Sequence, residues 1–231
     1  MIGPSFATPP PPNFQGYGPT RPAWAYRDGD VIDVRIPMLV GAGPGHLPAM
    51  MSSFPIPGYA RLYRDGVLVG QSGQPAAGAF QVPAEPGNYR LEAFLACNTA
   101  FCAVSNPTAY ASWTFRSGHT GDVEALPLTA VRYLPELDEY NRASAGTPFT
   151  FPIQLETETG QTKASTTSLT VEASYDDGGT WHSVQLRRAG NRWQATVDNP
   201  GSGYVSLRAT ALEADGNTAQ QTVLRAYGVT G

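Results

Sequence analysis

The sequence has few charged residues and almost no lysine. Of its 231 residues only 15% are charged, Lys163 is the only lysine, and the formal net charge is −4. A face that binds nucleic acid needs clustered positive charge to neutralise phosphates. The composition therefore indicates that nucleic acid is not a partner.

Long hydrophobic runs and helical periodicity are also missing. No segment is apolar for the ~20 residues that a membrane-spanning helix needs, and no window repeats apolar residues with a period of 3.6. The chain is instead rich in turn-forming residues, with 25 glycines and 21 prolines. This composition predicts an all-β chain of strands joined by turns, without a membrane span.

The chain has two cysteines, Cys97 and Cys102, which lie close together in ACNTAFCAV. No further Cys or His lies nearby to complete a metal site. We predict a disulfide that closes a small loop, with free thiols as the alternative, and a disulfide requires an oxidising compartment. The first residues, MIGPSFATPPPPNF, have no features of a signal peptide. We therefore expect an extracellular, secreted piece of a longer chain, with the export signal upstream.

Strand patterns divide the chain into two halves behind a Pro-rich segment. Residues 1–25 contain four consecutive prolines and predict an extended linker or an irregular lead-in. Residues 26–118 alternate apolar and polar positions in VIDVRIPMLV, GNYRLEAFLA and TAYASWTFRS, and Asp65-Gly66 marks a hairpin. Residues 119–231 contain about seven short strands separated by turns. We predict two tandem immunoglobulin/fibronectin-III-like antiparallel β-sandwiches.

A long Gly/Pro-rich loop, GAGPGHLPAMMSSFPIPG, separates the first strand from the hairpin. Loops of this length within compact domains are often binding elements, and disorder is the alternative. Its candidate partner-contact residues are His46, Met50, Met51 and Phe54.

The stretch SYDDGGTW fits the Asp-box pattern known from sialidases and other sugar-cleaving propellers. Its pattern residues are Ser174, Asp176, Gly178, Thr180 and Trp181. A propeller would repeat the motif in each blade, whereas here it occurs once, between two predicted strands. We interpret it as a structural hairpin turn in which carboxylates cap backbone N–H groups and the indole packs over the turn.

No catalytic or metal-binding pattern is present. The three histidines, His46, His119 and His182, are scattered, and no G-x-S-x-G elbow occurs. Asp215-Gly216-Asn217 is better explained as a hairpin turn than as part of a calcium loop. We predict no catalytic residues, no metal and no cofactor. Five aromatics leave open whether they form a sugar-stacking platform or pack in the core: Trp24, Tyr59, Tyr63, Trp181 and Trp193.

The order of several sequence blocks resembles one known family. GDVIDVRIPMLV, ARLYRDGVLVG, FQVPAEPGNYRLEAF, ASWTFRS, LTVEASYDDGGTWHSVQL and GYVSLRATALEADGNTAQQTVLRAY are similar to the non-catalytic C-terminal region of secreted, actinobacterial-type subtilisin-like serine proteases. The resemblance covers about residues 26–228. The family's catalytic contexts, D-[ST]-G, H-G-T and G-T-S-M-[AS], are not in the chain.

The resemblance implies an accessory module whose partner is a catalytic protease domain upstream in the same polypeptide. Such a module would stabilise or dock that domain, or hold it at a protein substrate or a cell-surface polymer. Two alternatives remain open at this point. One is a carbohydrate- or cell-surface-binding β-sandwich, and the other is a self-standing extracellular adhesive or structural protein.

Overall fold

The computed structural model describes residues 3–6, 21–40, 56–97, 107–158, 161, 165–190 and 192–231. Within these residues the chain consists of strands and connections, with no helix. The described part accordingly contains no helix that could cross a membrane.

The strands are numbered in chain order. They are β1 (Ala25–Asp28), β2 (Val31–Arg35), β3 (Gly58–Arg64), β4 (Val67–Ser72), β5 (Ala77–Gln81), β6 (Gly87–Ala96), β7 (Thr108–Ser117), β8 (Glu124–Ala125), β9 (Thr129–Tyr133), β10 (Arg142–Ser144), β11 (Pro148–Thr157), β12 (Thr166–Ser174), β13 (His182–Ser183), β14 (Gln185–Ala189), β15 (Arg192–Asp198), β16 (Gly203–Glu213) and β17 (Thr218–Thr230).

The strands form three sheets. The central sheet has nine strands, in the order β13-β12-β16-β17-β7-β6-β3-β4 with β10 paired to β17. The first-half sheet is β5-β2-β1-β8 and the second-half sheet is β14-β15-β11-β9. All these pairings are antiparallel except β10–β17, which is parallel. The predicted fold class, all-β with antiparallel sandwiches, is confirmed.

The central sheet runs through both halves of the chain. β7, the last long strand before residue 118, pairs with β17 from Thr108↔Leu224 to Thr114↔Thr218. The hydroxyls of Thr114 and Thr218 lie 2.7 Å apart across this pairing. The Trp113 indole N–H also donates to the Thr129 carbonyl of the second half, at 2.8 Å. The two sandwiches therefore share one sheet, while the boundary at residues 118 and 119 stays a prediction.

Strand alternation sets the inward face of the central sheet. In β6 the buried side chains are at every second position, and β7 repeats the pattern. The predicted inward residues are all buried, and they are Tyr89, Leu91, Ala93, Leu95, Ala109, Ala111, Trp113 and Phe115. These faces are determined by the two-residue period of the strand.

The first predicted strand is shorter than its pattern. β2 ends at Arg35, and residues 36–40 are buried at every position, including Pro37. An alternating pattern assumes that one face meets solvent. Here the start of the chain lies alongside this segment: the Val40 N–H donates to the Gly3 carbonyl at 3.1 Å, and the Ser5 N–H donates to the Pro37 carbonyl at 3.3 Å.

The described parts of residues 1–25 are packed into the fold. Phe6 is 2% exposed, and its backbone N–H donates to the Glu156 carboxylate at 3.1 Å. The Ala25 N–H donates to the buried carboxylate of Glu158 at 3.0 Å. The four consecutive prolines lie outside the described residues, so the choice between a linker and an irregular lead-in stays a prediction.

A buried amide closes the edge of the second-half sheet. Gln221 of β17 is 1% exposed. Its Oε1 accepts from the Val131 N–H at 2.6 Å, and its Nε2 donates to the Val131 carbonyl at 3.0 Å. Val131 lies on β9, the edge strand of that sheet. The side chain thus occupies the position of a missing neighbouring strand and ties the two sheets together.

Candidate functional site

The Asp-box turn (residues 174–181) is organised around the Asp176 carboxylate. Asp176 Oδ1 accepts from the Thr180 N–H at 2.8 Å and from the Ser174 hydroxyl at 2.7 Å. Asp176 Oδ2 accepts from the Thr180 hydroxyl at 2.7 Å. These bonds, with the Thr180 N–H first, lower the pKa of Asp176 from 3.8 to about 2. The carboxylate is held in its charged form by the turn that it builds.

The backbone of the turn needs two residues with positive φ. Asp177 has φ 55° and Gly178 has φ 91°. The Gly178 N–H donates to the Ser174 hydroxyl oxygen at 2.9 Å. A Cβ at Gly178 would lie 3.2 Å from a methyl of Leu224 on β17, so the turn also packs closely on the central sheet. Glycine meets both requirements at this position.

Two arginines anchor the turn to the central sheet. Arg225 of β17 binds both carboxylate oxygens of Asp177, at 2.9 and 2.6 Å, and lowers the pKa of that carboxyl. Arg208 of β16 lies over the Trp181 ring, with its guanidinium carbon 4.4 Å from the centroid. The Trp181 indole N–H donates to the Gly178 carbonyl at 3.0 Å. Each of the five pattern residues therefore has a contact within the turn or with the central sheet.

The aromatic residues suggested as a sugar-stacking platform do not form one. Trp24 is 1% exposed. An arginine lies over each of the other four rings: Arg61 over Tyr59 at 4.3 Å, Arg90 over Tyr63 at 3.9 Å, Arg208 over Trp181 at 4.4 Å and Arg188 over Trp193 at 5.6 Å. Each guanidinium occupies one face of its ring. Packing explains these five residues better than sugar binding.

Two of the three histidines lie within the described residues, and they have different surroundings. His119 Nδ1 lies 2.9 Å from Asp30 Oδ1, and this contact lowers the pKa of that carboxyl. Beside it, the Ser117 hydroxyl accepts from the buried Arg27 guanidinium at 3.4 Å. The Asp30–His119 pair lies at the surface, and the hydroxyl of nearby Ser117 is bound to Arg27. His182 stacks on Tyr175 instead.

The remaining predicted site residues can be placed only in part. Cys97 follows β6, is 1% exposed, and its N–H donates to the Pro107 carbonyl at 3.0 Å. Cys102 lies outside the described residues, so the disulfide stays a prediction. The loop residues His46, Met50, Met51 and Phe54 also lie outside the described residues. Among the residues that are described, no group of three or more His, Cys, Asp or Glu could hold a metal ion.

One concave feature was not foreseen from the sequence. A groove of about 360 Å³ opens beside the Asp-box turn, between β13 and the pair β14–β15. We name it the Tyr175 groove, and its lining residues are Tyr175, His182, Ser183, Val184, Gln185, Thr196, Val197 and Asp198. Tyr175 lies inside the Asp-box sequence at a position that the pattern leaves free, so the pattern carries no signal for it.

Comparison with known proteins adds no family assignment. No protein-family profile matches the chain, and no curated protein matches it. One solved structure that it resembles is that of the fibronectin(III)-like modules of Clostridium thermocellum CbhA. The identity is 12%, the match covers 82% of this chain and 80% of that chain, and the TM-score is 0.29. A likeness this weak carries no argument about function.

Proposed function

We propose that this chain is a non-catalytic accessory module of a secreted subtilisin-like serine protease. It would stabilise or dock the catalytic domain, or hold that domain near a substrate or surface. The family link rests on the order of sequence blocks described above. Location outside the cell follows from the same link and from the predicted disulfide.

The main support for the proposal is that polar side chains form hydrogen bonds with the chain's own backbone. Asp176, Gln221 and Glu158 all bind backbone N–H groups of the fold itself. Groups that act in catalysis are instead directed at a reacting atom, with a base beside a nucleophile and donors for the developing charge. Polar side chains that form hydrogen bonds with the chain's own backbone stabilise the fold, which is what a scaffold requires.

The shared central sheet supports the same proposal. Two sandwiches joined only by a linker would move independently. Here the β7–β17 pairing and the Trp113–Thr129 hydrogen bond join them. A rigid unit of this kind can set the distance and orientation of an attached catalytic domain, which is the mechanical requirement for an accessory module.

The decisive experiment uses the protease encoded in the same reading frame. The intact enzyme is compared with a variant that lacks residues 26–231, by kcat on a short peptide, melting temperature and secreted yield. We expect kcat to stay within about threefold while stability or yield falls, because the removed residues touch no reacting atom. A fluorophosphonate probe should label the intact enzyme and leave this chain alone unlabelled.

Two results would contradict the proposal. The first is a reading frame without a protease domain. The second is near-complete loss of kcat in a truncated enzyme that is still folded, which would mean that this module helps to build the active site.

A further inference from the structure

The Tyr175 groove lies where the two sheets of the second sandwich meet at the surface. Its volume of about 360 Å³ is at the lower end of the range for small-ligand sites, roughly 300 to 1,000 Å³. The floor includes Val197, which is 1% exposed. The walls carry side chains that reach solvent, so a ligand could enter without any movement of the strands.

An open aromatic surface forms one wall. The Tyr175 and His182 rings stack with centroids 5.7 Å apart and planes 21° apart. Tyr175 is 37% exposed. In the described part of the chain no arginine lies over either ring, in contrast to Tyr59, Tyr63 and Trp181. A planar or ring-shaped ligand could stack on this aromatic surface.

The Asp-box turn holds this wall in place. His182 pairs with Ala173 across the β12–β13 ladder, and Tyr175 directly follows β12. The hydrogen bonds of Asp176 and the Arg225–Asp177 ion pair hold the intervening turn. A preformed wall loses little conformational entropy when a ligand binds.

The other wall carries a single carboxylate. Asp198, at the end of β15, is exposed and has no ion-pair partner among the described residues. Burial first, and the charge of Asp198 second, raise the pKa of the Tyr175 hydroxyl. Asp198 and Tyr175 line the same groove, so both can contact one ligand. The hydroxyls of Ser183 and Thr196 and the Gln185 amide complete the polar lining.

We propose that the Tyr175 groove binds one or two sugar units of a neutral polysaccharide. A sugar ring offers an apolar C–H face for Tyr175 and hydroxyls for Asp198 and the neighbouring polar groups. Among the described residues, no arginine or lysine lines the groove to neutralise a ligand carboxylate or phosphate. The single negative charge of Asp198 disfavours anionic sugars further, so the class is neutral. The site is separate from the protease docking proposed above.

The experiment titrates the isolated 231-residue chain with three neutral hexasaccharides, cellohexaose, N-acetylchitohexaose and mannohexaose, and with an anionic galacturonate hexamer. Binding is followed by amide chemical shifts and by calorimetry. We expect at least one neutral hexasaccharide to shift the amide resonances of Tyr175, His182 and Asp198. Tyr175→Ala should weaken that binding by about tenfold or more, because the stacking surface is lost.

Matched variants separate stacking from folding. Tyr175→Phe keeps the ring and should bind within about threefold of the wild type, whereas Asp198→Asn should weaken binding by about tenfold. Tyr140→Ala, which removes a tyrosine 53% exposed elsewhere on the surface, should leave affinity unchanged.

Three outcomes would overturn the site. They are no shift with any neutral hexasaccharide, shifts that map away from the groove, or preference for the galacturonate hexamer. None of these bears on the protease docking, which is measured on a different molecule.

Discussion

Replacing Gln221 tests whether one buried amide ties the two sheets of the second sandwich together. Gln221→Met keeps the length and most of the volume of the side chain but removes both hydrogen bonds to Val131. The Val131 N–H and carbonyl are then left buried on the edge strand β9. Each unsatisfied buried group costs about 1 to 3 kcal/mol, so the free energy of unfolding should fall by about 2 to 6 kcal/mol. That is a large fraction of the roughly 5 to 15 kcal/mol by which domains are stable.

The assay is urea unfolding followed by tryptophan fluorescence and by far-ultraviolet circular dichroism. The matched control is Gln220→Met, one residue earlier on β17, where the side chain is exposed on the opposite face. Its unfolding free energy should stay within about 0.5 kcal/mol of the wild type, as is usual for surface changes. If Gln221→Met lost less than about 1 kcal/mol, or if the control lost as much, the reasoning would be refuted.

Gln221→Glu adds a pH readout at the same position. A charged carboxylate can accept the Val131 N–H but cannot donate to its carbonyl. Burial should raise the folded-state pKa of this glutamate above its unfolded value, about 4.3. The protonated side chain regains a donor, so the stability deficit relative to the wild type should be smallest below the unfolded pKa. It should grow as the pH rises through the folded pKa. A deficit that does not depend on pH would contradict the hydrogen-bond account.

Three further predictions concern the turn and the cysteines. The pKa of Asp176 is lowered from 3.8 to about 2 in the folded chain, so its contribution is present above pH 3.8 and is lost as the pH falls toward 2. Asp176→Asn should therefore flatten the acid limb of a stability–pH profile measured by urea midpoint, and an unchanged limb would contradict the assignment. Trp181→Ala should lower the unfolding free energy by about 2 kcal/mol, which is less than for a fully buried indole, because Trp181 is half-buried. Calorimetric melting measures this change, and an unchanged stability would contradict the prediction. Intact-mass analysis of secreted protein should show no alkylation of Cys97 or Cys102 before reduction, and two reactive thiols would exclude the disulfide.

The amino-acid sequence by itself determined the local parts of this fold. Two-residue alternation predicted which faces of β6 and β7 are buried, because side chains on a strand point to opposite sides at successive positions. The Asp-box pattern predicted the turn between β12 and β13, because Asp176 and Gly178 form it with neighbours at most four residues away. Such contacts depend on residues that are adjacent in the printed sequence.

Only the tertiary structure decided how these parts combine. The pairing of Thr114 with Thr218, which fuses the two sandwiches, joins strands whose alternation would allow many other partners. The arginines over Tyr63 and Trp181 come from other strands, Arg90 of β6 and Arg208 of β16, which only strand pairing brings beside those rings. The Tyr175 groove likewise exists because β13 and β14–β15 belong to different sheets that part at the surface. Apolar–polar alternation specifies which face of a strand is buried but not which strand pairs with it. That choice depends on the packing of the whole chain.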